Sequence, residues 1–334
     1  MRNLVCLLPL LGLVVAACAH TQVPGVPVSS REVHFKGYGG FDLAGTLALP
    51  AGTGKFPAVL LIPGSGPTDR DGNEPFIQMD VLKDIAERLQ ADGIATLRFD
   101  KRAVQRYSKQ WPKTAAKLDD FFSWEAFVGD AAGAYDCLKT QPEIDANRLA
   151  ILGHSEGGLL ALEVAKTSHP HALVLVSTPG RDFGALILEQ ISQGYSAQFT
   201  DAATLKARVA QVKRIVDAVR TTGKVPPDVP AELAPVFPSY LSRYLHSTFM
   251  LDPAADAKLF DGPALIVQGQ KDIQVSPDRD APKLKSAIKN SELFYVPGAS
   301  HCMKAVSGPT DPGLTGPMLP DALDKISSWL KANL

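Results

Sequence analysis

The sequence predicts an α/β fold: a mostly parallel, doubly wound sheet with a helical cap inserted late in the chain. Short apolar runs alternate with helical stretches over most of the 334 residues, and one long interval carries helical patterns alone. Strand–helix alternation favours parallel strands joined by right-handed crossovers. Ligands of such sheets bind outside the carboxyl ends of the strands, so the residues that directly follow each strand are the candidates for chemistry.

Six apolar runs are typical of strands buried on both faces of a sheet. They are PAVLLI (57–62), ATLRF (95–99), RLAIL (148–152), ALVLV (172–176), ALIVQ (264–268) and ELFYV (292–296). Before them, REVHF and FDLAGTLAL flank KGYGG, which predicts a β-hairpin over residues 31–49. Helices are expected at 78–92, 124–140, 156–168, 278–289 and 320–333.

Residues 181–260 break this alternation, because they show helical patterns and no strand pattern. One helix is expected to begin at Thr200 and end near Gly223, and residues 237–251 supply a second amphipathic stretch. The apolar face of the first consists of Leu205, Val209, Val212, Val216 and Val219. We expect a helical cap above the sheet; the alternative is that these helices pack on its flank. Residues 31–180 and 261–334 would form the core.

Residues 1–17 are typical of a secretion signal, since Arg2 precedes a short apolar stretch and small residues follow. VAAC at 15–18 resembles a bacterial lipobox, which would make Cys18 the lipidated first residue of the mature chain. Ordinary cleavage after Ala19 fits the small-residue rule as well.

The lipobox interpretation predicts an exported protein in the periplasm or outer membrane, held to the membrane by lipid on Cys18. Residues 19–30, AHTQVPGVPVSS, would then serve as a tether between the membrane and the folded domain.

The charge balance argues against one class of partner. Lys and Arg number 34 against 35 Asp and Glu, and no basic stripe with interleaved aromatic residues occurs. Nucleic-acid binding is therefore not expected.

The stretch LGHSEGG at 152–158 places Ser155 in a tight turn between a predicted strand and a predicted helix. A serine there adopts a strained conformation that projects its hydroxyl from the sheet, while Gly153 and Gly157 allow strand and helix to approach closely. The G-x-S-x-G pattern is weakly specific by itself, but this context favours a nucleophile. The alternative is an incidental serine in a glycine-rich turn.

A serine nucleophile needs a base and an acid that orients the base. On this architecture they follow the serine in the order acid, then histidine. Asp272 comes just after the strand at 264–268, and His301 just after the strand at 292–296. Asp182 is the competing acid, because it follows the preceding strand. His154 is adjacent to Ser155 on a sharp turn and is expected to be structural.

The developing oxyanion needs preorganised N–H donors. One is expected from the backbone of Glu156, directly after the nucleophile. The other is expected from Ser65, which lies between two glycines in the loop IPGSGPTDRDGN after the strand at 57–62.

Together these motifs resemble the α/β-hydrolase superfamily over nearly all of residues 31–334. PGSGPTDRDGN, RFDKR and GHSEGG resemble in particular the EstD-like bacterial serine esterases. The resemblance implies carboxylic ester hydrolysis through an acyl-enzyme, with Ser155, Asp272 and His301 as the triad. We expect a small ester as substrate, no metal and no organic cofactor.

Other functions remain open on the same residues. A peptidase, an amidase or an acyltransferase could use the same triad, and a thioester could replace the ester. A non-catalytic binding lipoprotein could keep the fold without the chemistry. The sequence leaves the oligomeric state open.

The chain departs in two places from the proteins that it resembles. Many members begin the oxyanion loop with His-Gly, where this chain has Pro63-Gly64, and DKR is followed by AVQRYSKQ instead of a glycine-rich turn.

Several charged and thiol groups are expected to be structural. Five charged residues should brace the loops at 69–71 and 100–102, and Asp278 and Asp280 should be solvated. The five are Asp69, Arg70, Asp71, Asp100 and Arg102. Cys137 and Cys302 are expected at different edges of the sheet and hence as free thiols.

Overall fold

The sheet forms from the apolar runs and the hairpin. The computed structural model describes residues 27–308 and 311–334. The strands within them are β1 (Ser29–Lys36), β2 (Asp42–Leu49), β3 (Phe56–Ile62), β4 (Ala95–Phe99), β5 (Ile144–His154), β6 (Ala172–Val176), β7 (Ala264–Gly269) and β8 (Ser291–Val296). They form one sheet in the order 1-2-4-3-5-6-7-8. β1 and β2 are antiparallel, β2 is antiparallel to β4, and the remaining pairs are parallel. The predicted α/β fold with its mostly parallel sheet is confirmed.

Helices connect the parallel strands, as the alternation predicts. The helices are α1 (Val81–Ala91), α2 (Ala115–Phe121), α3 (Trp124–Lys139), α4 (Glu156–Ser168), α5 (Phe183–Gln198), α6 (Ala202–Thr222), α7 (Ser242–Phe249), α8 (Pro253–Ala257), α9 (Ala281–Ala287) and α10 (Pro320–Asn333). The sequence did not predict α2. The helix expected at 278–289 is shorter, because residues 277–280 form a turn and Pro282 occupies the first turn of α9.

The sheet is covered on both faces. In β3, Leu60 and Ile62 pack into one hydrophobic core, whereas Val59 and Leu61 pack into a second core on the opposite face. This alternation explains why residues 58–62 of β3 are apolar at every position, since neither face of this central strand meets water.

Between β6 and β7 the described chain contains α5 to α8 and no strand, as expected for residues 181–260. α5 and α6 pack together, and α7 contacts both of them as well as α2 and α3. Asp201, not Thr200, caps α6, because its carboxylate accepts the N–H of Thr204 at 2.7 Å. Gly223 ends the helix in a left-handed conformation.

The amino-terminal predictions lie mostly outside the described residues. These are the signal at 1–17, lipidation at Cys18 and the first part of the tether at 19–30. The last two tether residues belong to β1, which starts at Ser29. Within the described part of the chain, no helix combines the length and apolarity that a membrane span requires.

Two thiols fall within the described chain. Cys137 is half-buried near the end of α3, and Cys302 is buried directly after His301; both are free. This agrees with the prediction that they do not pair. Burial raises the pKa of Cys302 to about 12, which makes it a poor nucleophile at neutral pH.

Candidate active site

The LGHSEGG stretch forms a sharp turn between β5 and α4. At the turn Ser155 has φ 55° and ψ −123°, a backbone conformation that costs energy for any residue but glycine. Its N–H donates to the carbonyl oxygen of Val176 in β6 at 2.8 Å. A Cβ atom at Gly153 or Gly157 would overlap neighbouring backbone, so the close approach of strand and helix requires both glycines.

Asp272 and His301 meet at the carboxyl edge of the sheet, after β7 and β8. Nδ1 of His301 lies 2.9 Å from Oδ2 of Asp272, and both side chains are buried. The other carboxylate oxygen of Asp272 accepts the N–H groups of Gln274 at 2.8 Å and Val275 at 2.9 Å. Burial alone would raise the pKa of Asp272, but His301 and these amides outweigh it and hold the pKa below its ordinary value. Asp272 is therefore a carboxylate that fixes the ring of His301.

Asp182, the competing acid, lies elsewhere. Its carboxylate caps α5 by accepting the N–H of Ala185 at 2.8 Å, and it also pairs with Arg220 of α6. Both contacts are within the helical interval. The hydrogen bond to the histidine ring thus belongs to Asp272.

His154 and Ser177 hold the backbone of His301. Its carbonyl oxygen lies 3.0 Å from Nε2 of His154 and accepts the hydroxyl of Ser177 at 2.8 Å. Burial and the neighbouring His301 lower the pKa of His154 to about 3, so its ring is neutral at physiological pH and Nε2 donates. The contact agrees with the structural role expected for His154.

The loop after β3 lies against the sharp turn at residues 153–157, which we call the elbow. A Cβ atom at Gly64 would be 3.4 Å from Cβ of Ser155, which is van der Waals contact, so this loop passes directly beside the serine. The carbonyl oxygen of Ser65 accepts the hydroxyl of Thr68 at 2.6 Å. The N–H of Ser65 meets no acceptor among the described residues, and that of Glu156 is at the start of α4, where helices leave N–H groups free. Neither predicted donor is therefore engaged by another residue of the described chain.

The side chain of Glu156 is fully buried beside the elbow, although the sequence pointed only to its amide. One carboxylate oxygen accepts Nζ of Lys101 at 2.8 Å, and the other accepts the hydroxyl of Tyr244. Burial and the carboxylate raise the pKa of Tyr244 well above its ordinary value, so the phenol keeps its proton and donates. Nζ of Lys101 also donates to the carbonyl oxygen of Gly64 at 2.9 Å.

The predicted bracing of the loops at 69–71 and 100–102 is correct only in part. Arg70 donates to Asp100 through its side chain at 2.6 Å and through its N–H at 3.0 Å. Asp71 pairs with Arg98 at 2.6 Å, and Asp69 accepts N–H groups of its own turn. Only the Arg70–Asp100 pair joins the two loops directly.

The expected roles of Arg102 and Asp280 are wrong. Arg102 pairs with Asp130 of α3 at 2.6 Å instead of with the loop at 69–71. Asp280 is fully buried rather than solvated, because Arg181 donates to it at 2.7 Å and 2.9 Å. Asp278 is exposed, as expected.

A pocket of about 240 Å³ opens beside the oxyanion loop. Its walls are largely aromatic, and Gly66 and Pro67 of that loop form part of them. The principal lining side chains are Lys101, Trp111, Phe122, Phe127, Tyr240 and Tyr244. The pocket lies below the usual 300–1,000 Å³ of drug-sized sites, so it suits a small apolar group.

No group of three or more His, Cys, Asp or Glu side chains within residues 27–308 and 311–334 is arranged to hold a metal ion.

Sequence reasoning did not identify Lys101, Ser177 or Tyr244. Ser177 directly follows β6 and Lys101 is the second residue after β4, so their position at the carboxyl edge of the sheet could have pointed to them. Tyr244 has no comparable signal, because it lies in α7, far along the chain from its partner.

Comparison with known proteins identifies the family and the fold of this chain. Residues 59–304 match the alpha/beta hydrolase family. Esterase EstD of Thermotoga maritima is 28% identical over 293 residues, which are 86% of this chain and 65% of that protein. The chain thus spans less than two thirds of the length of this relative.

Solved structures share the fold. An esterase of Pyrococcus furiosus superposes with a TM-score of 0.58 at 15% identity, covering 91% of each chain. Est1E from Butyrivibrio proteoclasticus gives 0.53 at 16% identity, covering 90% of this chain and 96% of its own. The matched family segment runs from β3 to the loop after β8 and includes Ser155, Asp272 and His301. The chain belongs to the alpha/beta hydrolase family.

Proposed function

We propose that the protein is a serine hydrolase that cleaves carboxylic esters, or thioesters, of modest acyl size through an acyl-enzyme. The observation that carries the proposal is the 2.9 Å contact between Asp272 and His301 at the sheet edge that also presents the strained Ser155. EstD supports the choice of ester as substrate.

In this mechanism Asp272 accepts the Nδ1 proton of His301, which leaves Nε2 as the base. Oγ of Ser155 attacks the carbonyl carbon and gives its proton to Nε2. The N–H groups of Ser65 and Glu156 stabilise the negative oxygen of the tetrahedral intermediate. The intermediate collapses when the leaving alcohol takes the proton from His301. Water then attacks the acyl-enzyme by the same route and releases the acid.

The aromatic pocket supports a limit on substrate size. Its 240 Å³ lies beside the oxyanion loop, and its charged side chain, Lys101, is already paired with Glu156. A carboxylate on the substrate would find no free cation there, so we expect an uncharged apolar acyl group.

Residues 181–260 serve as a cap in this proposal. Tyr240, Leu241 and Tyr244 from this segment line the pocket together with core residues. Substitutions in this wall should therefore change acyl preference more than the turnover of the smallest ester.

The test is a panel of aryl esters of increasing acyl length, assayed on wild type, Ser155→Ala and Ser328→Ala. Ser328 is an exposed serine of α10 and provides a matched control. We expect Ser155→Ala to lose at least about 1,000-fold in kcat and all labelling by a fluorophosphonate, while Ser328→Ala keeps both. Equal rates in wild type and Ser155→Ala would refute the proposal.

We propose further that the chain is exported and anchored by lipid on Cys18. The support is the lipobox-like sequence at 15–18. The test is detergent phase partitioning of wild type and Cys18→Ala expressed in a bacterial host. Wild type in the detergent phase with the variant in the aqueous phase is expected, and both in the aqueous phase would contradict anchoring.

A further inference from the structure

We propose that Lys101 is a positioning residue for the oxyanion hole, because its ammonium fixes the peptide that carries the Ser65 donor and ties it to Glu156. This inference rests on the proposed serine hydrolase function.

The first step is the geometry of one peptide unit. Nζ of Lys101 donates to the carbonyl oxygen of Gly64 at 2.9 Å. That carbonyl and the N–H of Ser65 belong to the same planar, trans peptide, so they point in opposite directions. Holding the Gly64 oxygen therefore sets the direction of the Ser65 N–H. A rotation of this peptide would turn the donor away from the oxyanion.

The second step concerns the other donor. The same ammonium lies 2.8 Å from Oε1 of Glu156, whose backbone N–H is the second predicted donor. Lys101 thus connects the two chain segments that supply the oxyanion hole, the loop after β3 and the start of α4. Charge-assisted hydrogen bonds are shorter and stronger than neutral ones, which makes this connection rigid.

The third step is the protection of the ion pair from water. Lys101 and Glu156 are buried, with side-chain exposures of 3% and 1%. The ammonium lies 4.8 Å from the ring centre of Phe127, which adds a cation–π contact. Tyr244 of α7 donates to the second oxygen of Glu156, so each carboxylate oxygen has a partner and α7 is linked to the elbow.

The neighbouring residue provides a matched comparison. Arg102 follows the same strand and forms an equally buried ion pair with Asp130, with side-chain exposures of 2% and 1%. Its other side-chain hydrogen bonds go to the carbonyl oxygens of Tyr38 and Phe121, it also lies over the rings of Phe41 and Phe121, and none of these contacts goes to the described oxyanion loop. Loss of this pair should affect stability without moving the Ser65 amide.

The experiment compares Lys101→Met/Glu156→Gln with Arg102→Met/Asp130→Asn. Each double variant removes both charges, because a single buried charge left without its partner is strongly destabilising. We expect kcat of the Lys101 variant to fall about 10- to 100-fold, with a smaller change in KM. This loss is smaller than that caused by removing an oxyanion donor completely. Affinity for an aryl boronic acid, which forms a tetrahedral adduct with Ser155, should fall by a similar factor. The Arg102 variant should keep its kcat within about twofold.

A second double variant, Lys101→Gln/Glu156→Gln, tests the same idea with a smaller perturbation, because it also leaves no buried charge unpaired. Its new amide at position 101 keeps a donor facing the Gly64 carbonyl, so its kcat should lie between those of wild type and Lys101→Met/Glu156→Gln. A kcat no higher than that of Lys101→Met/Glu156→Gln would overturn the inference. If Lys101→Met/Glu156→Gln fails to fold, the comparison is with wild type, and a kcat of Lys101→Gln/Glu156→Gln within about twofold of wild type would overturn it.

Two further results would overturn it: a Lys101→Met/Glu156→Gln enzyme with wild-type kcat, or an equal loss of kcat in the Arg102 variant. Failure of the proposed function is distinguishable from these. If wild-type turnover does not depend on Ser155, the proposed function fails. If it does depend on Ser155 and the Lys101 variants keep their kcat, only the role of Lys101 fails.

Discussion

Nε2 of His154 lies 3.0 Å from the carbonyl oxygen of His301, so the residue before the proposed nucleophile holds the backbone of the proposed base. The hydroxyl of Ser177 reaches the same oxygen at 2.8 Å. Two buried donors from neighbouring strands thus fix where the histidine loop leaves the sheet. The carboxyl ends of β5 and β6 therefore position both Ser155 and His301.

The first prediction follows from this contact. Ser177→Ala removes one of the two donors to the His301 carbonyl, and a buried hydrogen bond contributes about 1 kcal/mol. We expect kcat to fall up to about tenfold. Ser123→Ala, which removes the cap of α3, should lose comparable stability and keep its kcat. Steady-state kinetics with urea unfolding of both variants checks this, and unchanged kcat in Ser177→Ala would contradict it.

The second prediction concerns acid stability. Burial lowers the pKa of His154 to about 3 in the folded protein, whereas in the unfolded chain this histidine has its ordinary pKa of 6.5. The unfolded chain therefore binds more protons between these values, and stability must fall as pH drops from 6.5 towards 3. The slope contributed by His154 approaches about 1.4 kcal/mol per pH unit.

The pKa of Asp272 is also depressed, so its contribution is present above its ordinary pKa of 3.8 and is lost as pH falls through the folded value. Between pH 6.5 and 4 the effect of His154 can thus be separated from that of Asp272. Urea unfolding over this range should show a shallower slope for His154→Gln than for wild type. Parallel slopes would contradict the assignment of His154 as a neutral donor.

The third prediction tests the oxyanion loop through its backbone. Ser65→Pro removes the N–H that Ser65→Ala retains. Loss of one oxyanion donor typically costs about 100- to 1,000-fold in kcat. We expect a gap of at least about 100-fold between the two variants, measured on a short aryl ester. Equal activities would place the second donor elsewhere, and circular dichroism of both variants controls for misfolding.

The fourth prediction concerns two glycines in helices. A Cβ atom at Gly157 would overlap the carbonyl oxygen of Ile62, whereas one at Gly194 in α5 would meet nothing within 4 Å. Gly157→Ala should destabilise the protein by about 1–3 kcal/mol and lower activity. Gly194→Ala should stabilise it by about 0.5–1 kcal/mol, because alanine loses less entropy in a helix. Thermal unfolding of the pair checks both signs, and a destabilised Gly194→Ala would contradict the second.

Local patterns predicted most of the fold. Runs such as ALVLV pack on both faces of the sheet, so a strand of this kind is recognisable from an unbroken run of apolar residues. The elbow was equally visible, because its glycines and strand–helix context are local. Asp272 and His301 could be predicted since chain order places them after adjacent strands.

Long-range pairs of charged side chains could not be predicted in the same way. Asp280 appeared to be solvated because its partner Arg181 is 99 residues away. Arg102 was assigned to the wrong loop, since nothing near it in the sequence points to Asp130. Such contacts depend on which strand ends lie side by side and on how far each side chain reaches.

The hydroxyl of Tyr244 has a consequence for protein engineering. The segment between β6 and β7 begins and ends at two strands that pair with each other. It could therefore be taken for a unit that can be exchanged between relatives without disturbing the sheet. Yet Tyr244 donates to the carboxylate of Glu156, at the start of the nucleophile helix. A segment transplanted from a relative without such a donor would leave a buried carboxylate short of one partner. Exchange of this segment would therefore change the substrate range and the rigidity of the reaction centre at the same time.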